Sequence, residues 1–161
     1  ADDAEGLIVR PHSSVDDAIP NHNGLIAQNL VRLAVLDGND RWRTKTDALF
    51  AALLPRAVEN MFGHLSLLNA LDLHLTGAEV VVVGEGGEAD ALVAAARRLP
   101  HATTIVLHAP HADLLPQQHP ARVKADNVSG AAAFVCRQQS CSLPVTTAQA
   151  LIELIAERTS N

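Results

Sequence analysis

At Gly77 the hydrophobic pattern of this 161-residue chain changes its period, and that switch limits what the chain can fold into. Before it, apolar residues recur at helical spacing. After it comes Glu79-Val80-Val81-Val82-Val83, a continuous β-branched run closed by Gly84. A short run of this kind reads as a strand buried on both faces. Gly84-Glu85-Gly86-Gly87 reads as a turn, Ala89 to Leu99 as a compact helix ending at Pro100, and Thr103 to Leu107 as a second buried strand. Strand, helix, strand in this order is a βαβ unit, whose crossover is normally right-handed. Residues 109–130 look irregular, with Pro110, Pro116 and Pro120. Ala131 to Cys136 is a third candidate strand. Thr146 with Gln149 forms a capping box for a final helix through Leu151, Ile152, Leu154 and Ile155.

Upstream, residues 1–20 read as extended or loop, punctuated by Pro11 and Pro20. A helix follows Pro20 and ends at Gly38. Its apolar residues cover several faces: Ile26, Leu30 and Leu33 on one stripe, Leu25, Val31, Val35 and Leu36 on others. Such a helix is usually sandwiched between neighbours. Asn39 or Asp40 caps a second helix, with Trp42, Thr46, Leu49 and Leu53 at helical spacing and Phe50 and Leu54 beside them; Pro55 breaks it. A third helix is expected over Ala57 to Thr76, with Val58, Met61, Phe62, Leu65 and Leu68 as its apolar stripe. The expected fold is therefore α/β with a helical N-terminal part. Residues 1–77 form helices of an incomplete domain. Residues 78–161 form a small three-stranded, mostly parallel α/β module. The chain does not begin with Met, and Ala1 to Gly6 have no cap or turn logic. It is expected to be the tail of a larger protein, its helices covered by other chain or by a second copy.

Composition narrows the function. Net charge is −6, and the nearest basic group, Arg41, Arg43 and Lys45, reads as a solvated helix face, so no nucleic-acid partner is expected. Trp42, Phe50, Phe62 and Phe134 are the only aromatics, too few for stacking platforms. No apolar run is long enough to span a membrane and no signal peptide opens the chain, which points to a cytoplasmic protein.

Three constellations bear on chemistry. Gly84, Gly86 and Ala89 fit G-x-G-x-x-A, a dinucleotide-loop pattern in which amides at a helix N-terminus meet a pyrophosphate. Glu85 and Glu88 put negative charge there, and no acid closes the second strand, so a Gly-rich turn without a cofactor is the competing reading. Cys136 and Cys141 can be a structural or unpaired thiol pair, a redox-active pair, or half of a zinc site. The histidines give no metal site: His64 and His74 fall on nearly opposite helix faces, while His108, His111 and His119 sit in a loop and read as exposed. Asp2-Asp3 and Asp16-Asp17 read as solvated loop pairs.

The segment Ala131-Ala132-Ala133-Phe134-Val135-Cys136, through Cys141 to Pro144-Val145-Thr146, resembles the C-terminal T-A-Y-V-C-x4-C-x-x-P-[VI]-T signature of the YyaL and spermatogenesis-associated protein 20 family. Ala1-Asp2-Asp3 with Leu7 to Pro11 is similar to its D-x-x-x-L-x-x-R-P stretch. Asp17 to Gly24 with Asn29 to Leu33 resembles its D-G-A-x-P-S-x-N-S…N-L-x-R-L helix start, and Val80 to Gly84 its V-V-I-x-G strand. The resemblance implies a thioredoxin-like domain, then an (α/α)6 barrel similar to N-acylglucosamine 2-epimerases, then a small α/β tail. This chain would hold the last barrel helices and the tail, with those upstream parts of the same protein as partners or a homo-oligomer in their place. It implies a packing and assembly module with no cofactor, not a complete catalyst. The alternative it carries is a sugar-processing barrel site to which His22, Asn23 and Asp17 contribute, coupled to thiol redox through Cys136 and Cys141. A dinucleotide-binding module is third. The chain departs from the family at Pro20-Asn21-His22-Asn23-Gly24, where Asn21 or Asn23 serves equally well as a helix cap with His22 in solvent.

Overall fold

The computed structural model describes residues 13–99, 103–137 and 140–159. The motif residues Ala1 to Pro11, Pro100, Gln138 and Gln139 lie outside these. The elements in order are α1 (His22–Asp37), α2 (Asp40–Glu59), α3 (Leu65–Thr76), β1 (Ala78–Val83), α4 (Gly87–Arg97), β2 (Thr104–Ala109), α5 (Arg122–Ala125), β3 (Ala132–Arg137), β4 (Ser140–Cys141) and α6 (Ala148–Thr159), with 3₁₀ turns at Met61–His64 and Ala112–Leu114.

The fold is mixed α/β, and its sheet corrects the expected one. It has four strands in the order β2-β1-β3-β4. β1 pairs with β2 in parallel, but β3 runs antiparallel to β1, and β4 antiparallel to β3. The path of residues 110–131 is the reason. Ala109 and Ala132 both lie beside Val83, so the chain leaves β2 and enters β3 at the same end of the sheet. A strand that starts where its predecessor stopped must run the other way.

Successive valines of β1 serve opposite faces, as the pleat requires. Val80 and Val82, with Ala133 and Val135 of β3, pack against Leu92, Val93 and Ala96 of α4 and Leu151 and Ile155 of α6. Val81 and Val83, with Ala132 and Phe134, pack beneath Leu115, Ala121 and Ala125. The segment read as irregular is thus the covering layer of one face. Gly84 takes φ 114°, and a Cβ there would lie 2.7 Å from Ala131 Cα, so the crossing of β1 into its turn admits only glycine. α6 is capped by Thr147, whose hydroxyl accepts from Ala150 N–H at 3.2 Å, one residue beyond the expected Thr146.

The helical part departs from the expected stripes. α1 starts at the Asn21 cap and ends at Gly38, as read from the sequence. Its buried residues, however, are Gly24, Ala27, Val31 and Ala34, while Leu25, Ile26, Leu33 and Leu36 are exposed. The cause is the close crossing with α3, where a Cβ on Gly24 would lie 2.8 Å from the Ser66 carbonyl carbon. Close approach selects small side chains for the contact and turns the large ones outward. α2 buries Thr46, Phe50, Leu53 and Ala57, close to the expected face, and Pro55 lies inside it rather than ending it. The third helix is shorter than expected because Asn60 and the 3₁₀ turn interrupt it. Of its apolar stripe, Val58, Met61, Phe62 and Leu65 are exposed and Leu68 is half-buried. Among the described residues, no helix is long and apolar enough to cross a membrane.

Candidate functional site

The helical layer and the sheet meet around one cleft of about 310 Å³. One side comes from α1 to α3 through Val31, Val35, Arg43, Leu73 and His74. The other comes from the sheet through Glu79, Ile105, Cys136 and Arg137. Gln118 Nε2–H donates to the Asp37 carbonyl at 3.1 Å across the same junction.

Glu79 forms the polar centre of this region. It is the one charged residue of β1 and is 6% exposed. His119, 2% exposed, reaches it from the covering segment, with Nε2 at 2.9 Å from Oε1. The Ala121 N–H donates to His119 Nδ1 at 3.2 Å, so Nδ1 accepts and Nε2–H donates to the carboxylate. The expectation of an exposed loop histidine is corrected: His119 is fully enclosed and supplies the partner that a buried carboxylate demands. The signal for this pair was present in the sequence as a Glu inside a strand apolar on both sides, but nothing there names its partner.

Cys136 and Cys141 face each other in register on β3 and β4 and are joined as a disulfide. Of the sequence alternatives, the structure therefore shows the covalent pair. Both residues are buried, Cys136 against the Glu79 side of the sheet, its register partner. Lys124 Nζ–H donates to the Cys141 carbonyl and, at 3.3 Å, to that of Ser142, tying the hairpin to the covering segment. Arg137 follows directly. Its Nε is buried and has no hydrogen-bond partner among the described residues. A buried donor left unmatched costs about 1–3 kcal/mol, so it calls for an explanation. Arg43 is also corrected: it is half-buried and lines the cleft, rather than sharing a solvated face with Arg41 and Lys45, which stack over Trp42.

The expected catalytic trio lies at the opposite end of the helical layer, far from this cleft. α1 has 16 residues and so spans about 24 Å. His22 and Asp17 are exposed. Asn23 Nδ2–H donates to the Ser13 carbonyl at 2.6 Å, and Asn21 Oδ1 accepts from Asn23 N–H at 2.9 Å. These groups cap and tether a helix.

The organising residue there is Asp16, which is a tethering group and not the solvated loop aspartate expected. Its carboxylate accepts from Ser66 N–H and Asn21 N–H, each at 2.7 Å, and from the Ser66 hydroxyl. Burial alone would raise its pKa, but these hydrogen bonds, with the nearby His64, outweigh it and hold the carboxyl below its ordinary 3.8. A depressed folded-state pKa stabilises the fold fully above the unfolded value and loses that contribution as the pH falls through the folded one. Asp16→Asn is therefore expected to lower stability by about 1.5–3 kcal/mol at neutral pH. Urea titrations should show the gap to the parent narrowing as the pH is taken below 3.8, and a gap that stays constant would contradict this account.

The Gly-rich turn fits a dinucleotide poorly. Gly86 and Gly87 are open and begin α4, but the hollow beside them is walled by Glu85, Glu88, Asp113 and Asp126. Four carboxylates repel a pyrophosphate. His111 approaches Glu85 at 3.7 Å and His108 Nε2–H donates to the Gly84 carbonyl at 2.9 Å. Among the described residues no group of three or more metal-ligating side chains converges. Compared with known families and with curated proteins, the chain matches no family model and no curated sequence.

Proposed function

We propose that this chain is a packing and assembly module of a larger protein of the YyaL and spermatogenesis-associated protein 20 type, with α1 to α3 seated against further helices of an (α/α)6 barrel. One observation carries the reading. At the end of the helical layer away from the sheet, Ile19 (75% exposed), Val58 (76%), Met61 (58%) and Phe62 (86%) face solvent together with Val15, Leu25, Ile26 and Leu65. The Asp16 bonds to Asn21 and Ser66, and the Asp16 N–H to Gly63 carbonyl bond at 2.7 Å, gather these segments at one place. A concentration of exposed apolar residues of this kind marks an interaction surface. Barrel helices are its occupant because the patch is built from helix ends and the turn between α2 and α3.

The redox alternative has less support. Cys136 and Cys141 are both buried, and exchange with a thioredoxin-like dithiol requires access to a sulfur. The sugar-processing alternative loses the Asn23 side-chain donor Nδ2 to tethering.

Sedimentation of the chain over a range of concentrations tests the proposal. Self-association is expected, with the apolar end substituting for the missing helices. Met61→Lys with Phe62→Lys should abolish it while leaving the far-ultraviolet circular dichroism unchanged. A chain that stays monomeric to about 100 μM and shows no binding of a hydrophobic dye would refute it.

A further inference from the structure

From the cleft between the helical layer and the sheet, we infer that the chain binds a free amino acid with an apolar side chain, its carboxylate on Arg137, its ammonium on Glu79 and its side chain against the helices. The cleft holds two opposite charges that do not meet. Arg137 lines it with a buried Nε–H that has no acceptor among the described residues. Glu79 lines it as well, and its bond to the neutral His119 uses Oε1 alone, so Oε2 accepts nothing from the described residues. The contact of Glu79 within ion-pair range is to His119, not to Arg137. The sheet is the reason. Cys136 is the register partner of Glu79 and precedes Arg137, so the two charged residues stand on adjacent strands about 5 Å apart. Successive residues leave a strand on opposite faces, which sends the Arg137 side chain away from the face that Cys136 and Glu79 share.

Burying charge without a partner costs free energy. One cation and one anion in the same cleft, each unmatched, fit a ligand that carries both charges and is neutral overall. Arg43, also on the wall, is paired with Asp40 and takes no part. A guanidinium N–H donates well to a carboxylate, and a carboxylate oxygen accepts well from an ammonium. The rest of the lining includes Val31, Val35, Leu73 and Leu75, an apolar wall for the ligand's side chain. At about 310 Å³ the space lies at the lower end for small-molecule pockets and suits one amino acid of leucine size.

The disulfide has a part in this site. It pins β4 to β3 at Cys136, the residue opposite Glu79 and next to Arg137, and so fixes the backbone between the two charges.

Nuclear magnetic resonance titration of the whole chain with L-leucine tests the inference. Isocaproate is leucine without its amino group, and isopentylamine is leucine without its carboxyl group. Leucine is expected to bind saturably with a Kd below about 1 mM, shifting the methyl signals of Val35 and Leu75, and each analogue at least about tenfold more weakly. Arg137→Met should weaken leucine by at least about tenfold and leave isopentylamine unchanged. Glu79→Gln, which keeps an acceptor for His119, should weaken leucine to the same degree and leave isocaproate unchanged. The two analogues on the unaltered chain decide the matter should either variant not fold. The inference is overturned if leucine shows no saturation, if either analogue binds as tightly as leucine, if a folded variant binds leucine as the parent does, or if the shifts map to Phe62 and Met61 at the far apolar end.

Discussion

Replacing His119 by alanine is expected to destabilise the fold by about 3–5 kcal/mol, because it leaves the Glu79 carboxylate buried without its donor. The reverse change is expected to cost less. Glu79→Ala strands only the Nε2–H of a neutral imidazole whose Nδ1 still accepts from Ala121, a loss of about 1–3 kcal/mol. The asymmetry follows from what each truncation leaves behind: a charge in one case, a dipole in the other. The double variant should cost less than the two singles together, since neither orphan remains. Urea denaturation of the four proteins measures all three quantities. Equal and small effects from both single changes would mean that water, not His119, satisfies Glu79. Beyond its own energy, the pair joins the covering segment to the start of β1 close to where Gln118 meets Asp37, so its loss should also loosen the junction between helices and sheet.

Phe134→Ala is expected to cost about 3–5 kcal/mol, which for a chain of this length lowers Tm by roughly 6–20 °C. Phe134 is fully buried and is the one aromatic among the core residues on either face of the sheet. Its cluster includes Ala109, Ala121, Ala125 and Ala132, which have no side-chain length with which to fill a vacated space, leaving Leu115 as the one long side chain of the covering layer there. The covering segment cannot sink inward to close the cavity either. Lys124 Nζ–H donates to the Cys141 carbonyl and so ties the segment to β4, while the Arg122 Nη1–H to Leu115 carbonyl bond braces the segment internally. Phe134→Leu, which keeps most of the volume, should cost less than about 1.5 kcal/mol. Calorimetry would contradict this view of the core if Phe134→Ala and Phe134→Leu melted together.

The β-branched run at residues 80–83, the caps at Asn21 and Gly38, and the helix after Gly86 were legible because each is a local rule: pleat, cap geometry or turn chemistry. The cysteine spacing was legible only as a set of alternatives, which strand register resolved by placing Cys136 opposite Cys141. The candidate trio His22, Asn23 and Asp17 did fall together, but as a cap and tether, with Asp16 unnoticed among them.

By itself, then, the sequence determined β1 to β3 and where most of the long helices lie, that β1 would be buried on both faces, and where the chain changes period, but not β4, α5 or the break between α2 and α3. Tertiary structure alone decided that β3 runs antiparallel, that α1 contacts α3 through small residues while Leu25, Leu33 and Leu36 face outward, and that Glu79, His119, Arg43 and Arg137 share one junction. Periodicity reports the conformation of a segment from its own residues. Direction, facing and buried charge pairing depend on residues tens of positions away, such as His119 for Glu79 and Ser66 for both Gly24 and Asp16, and no local pattern encodes those distances.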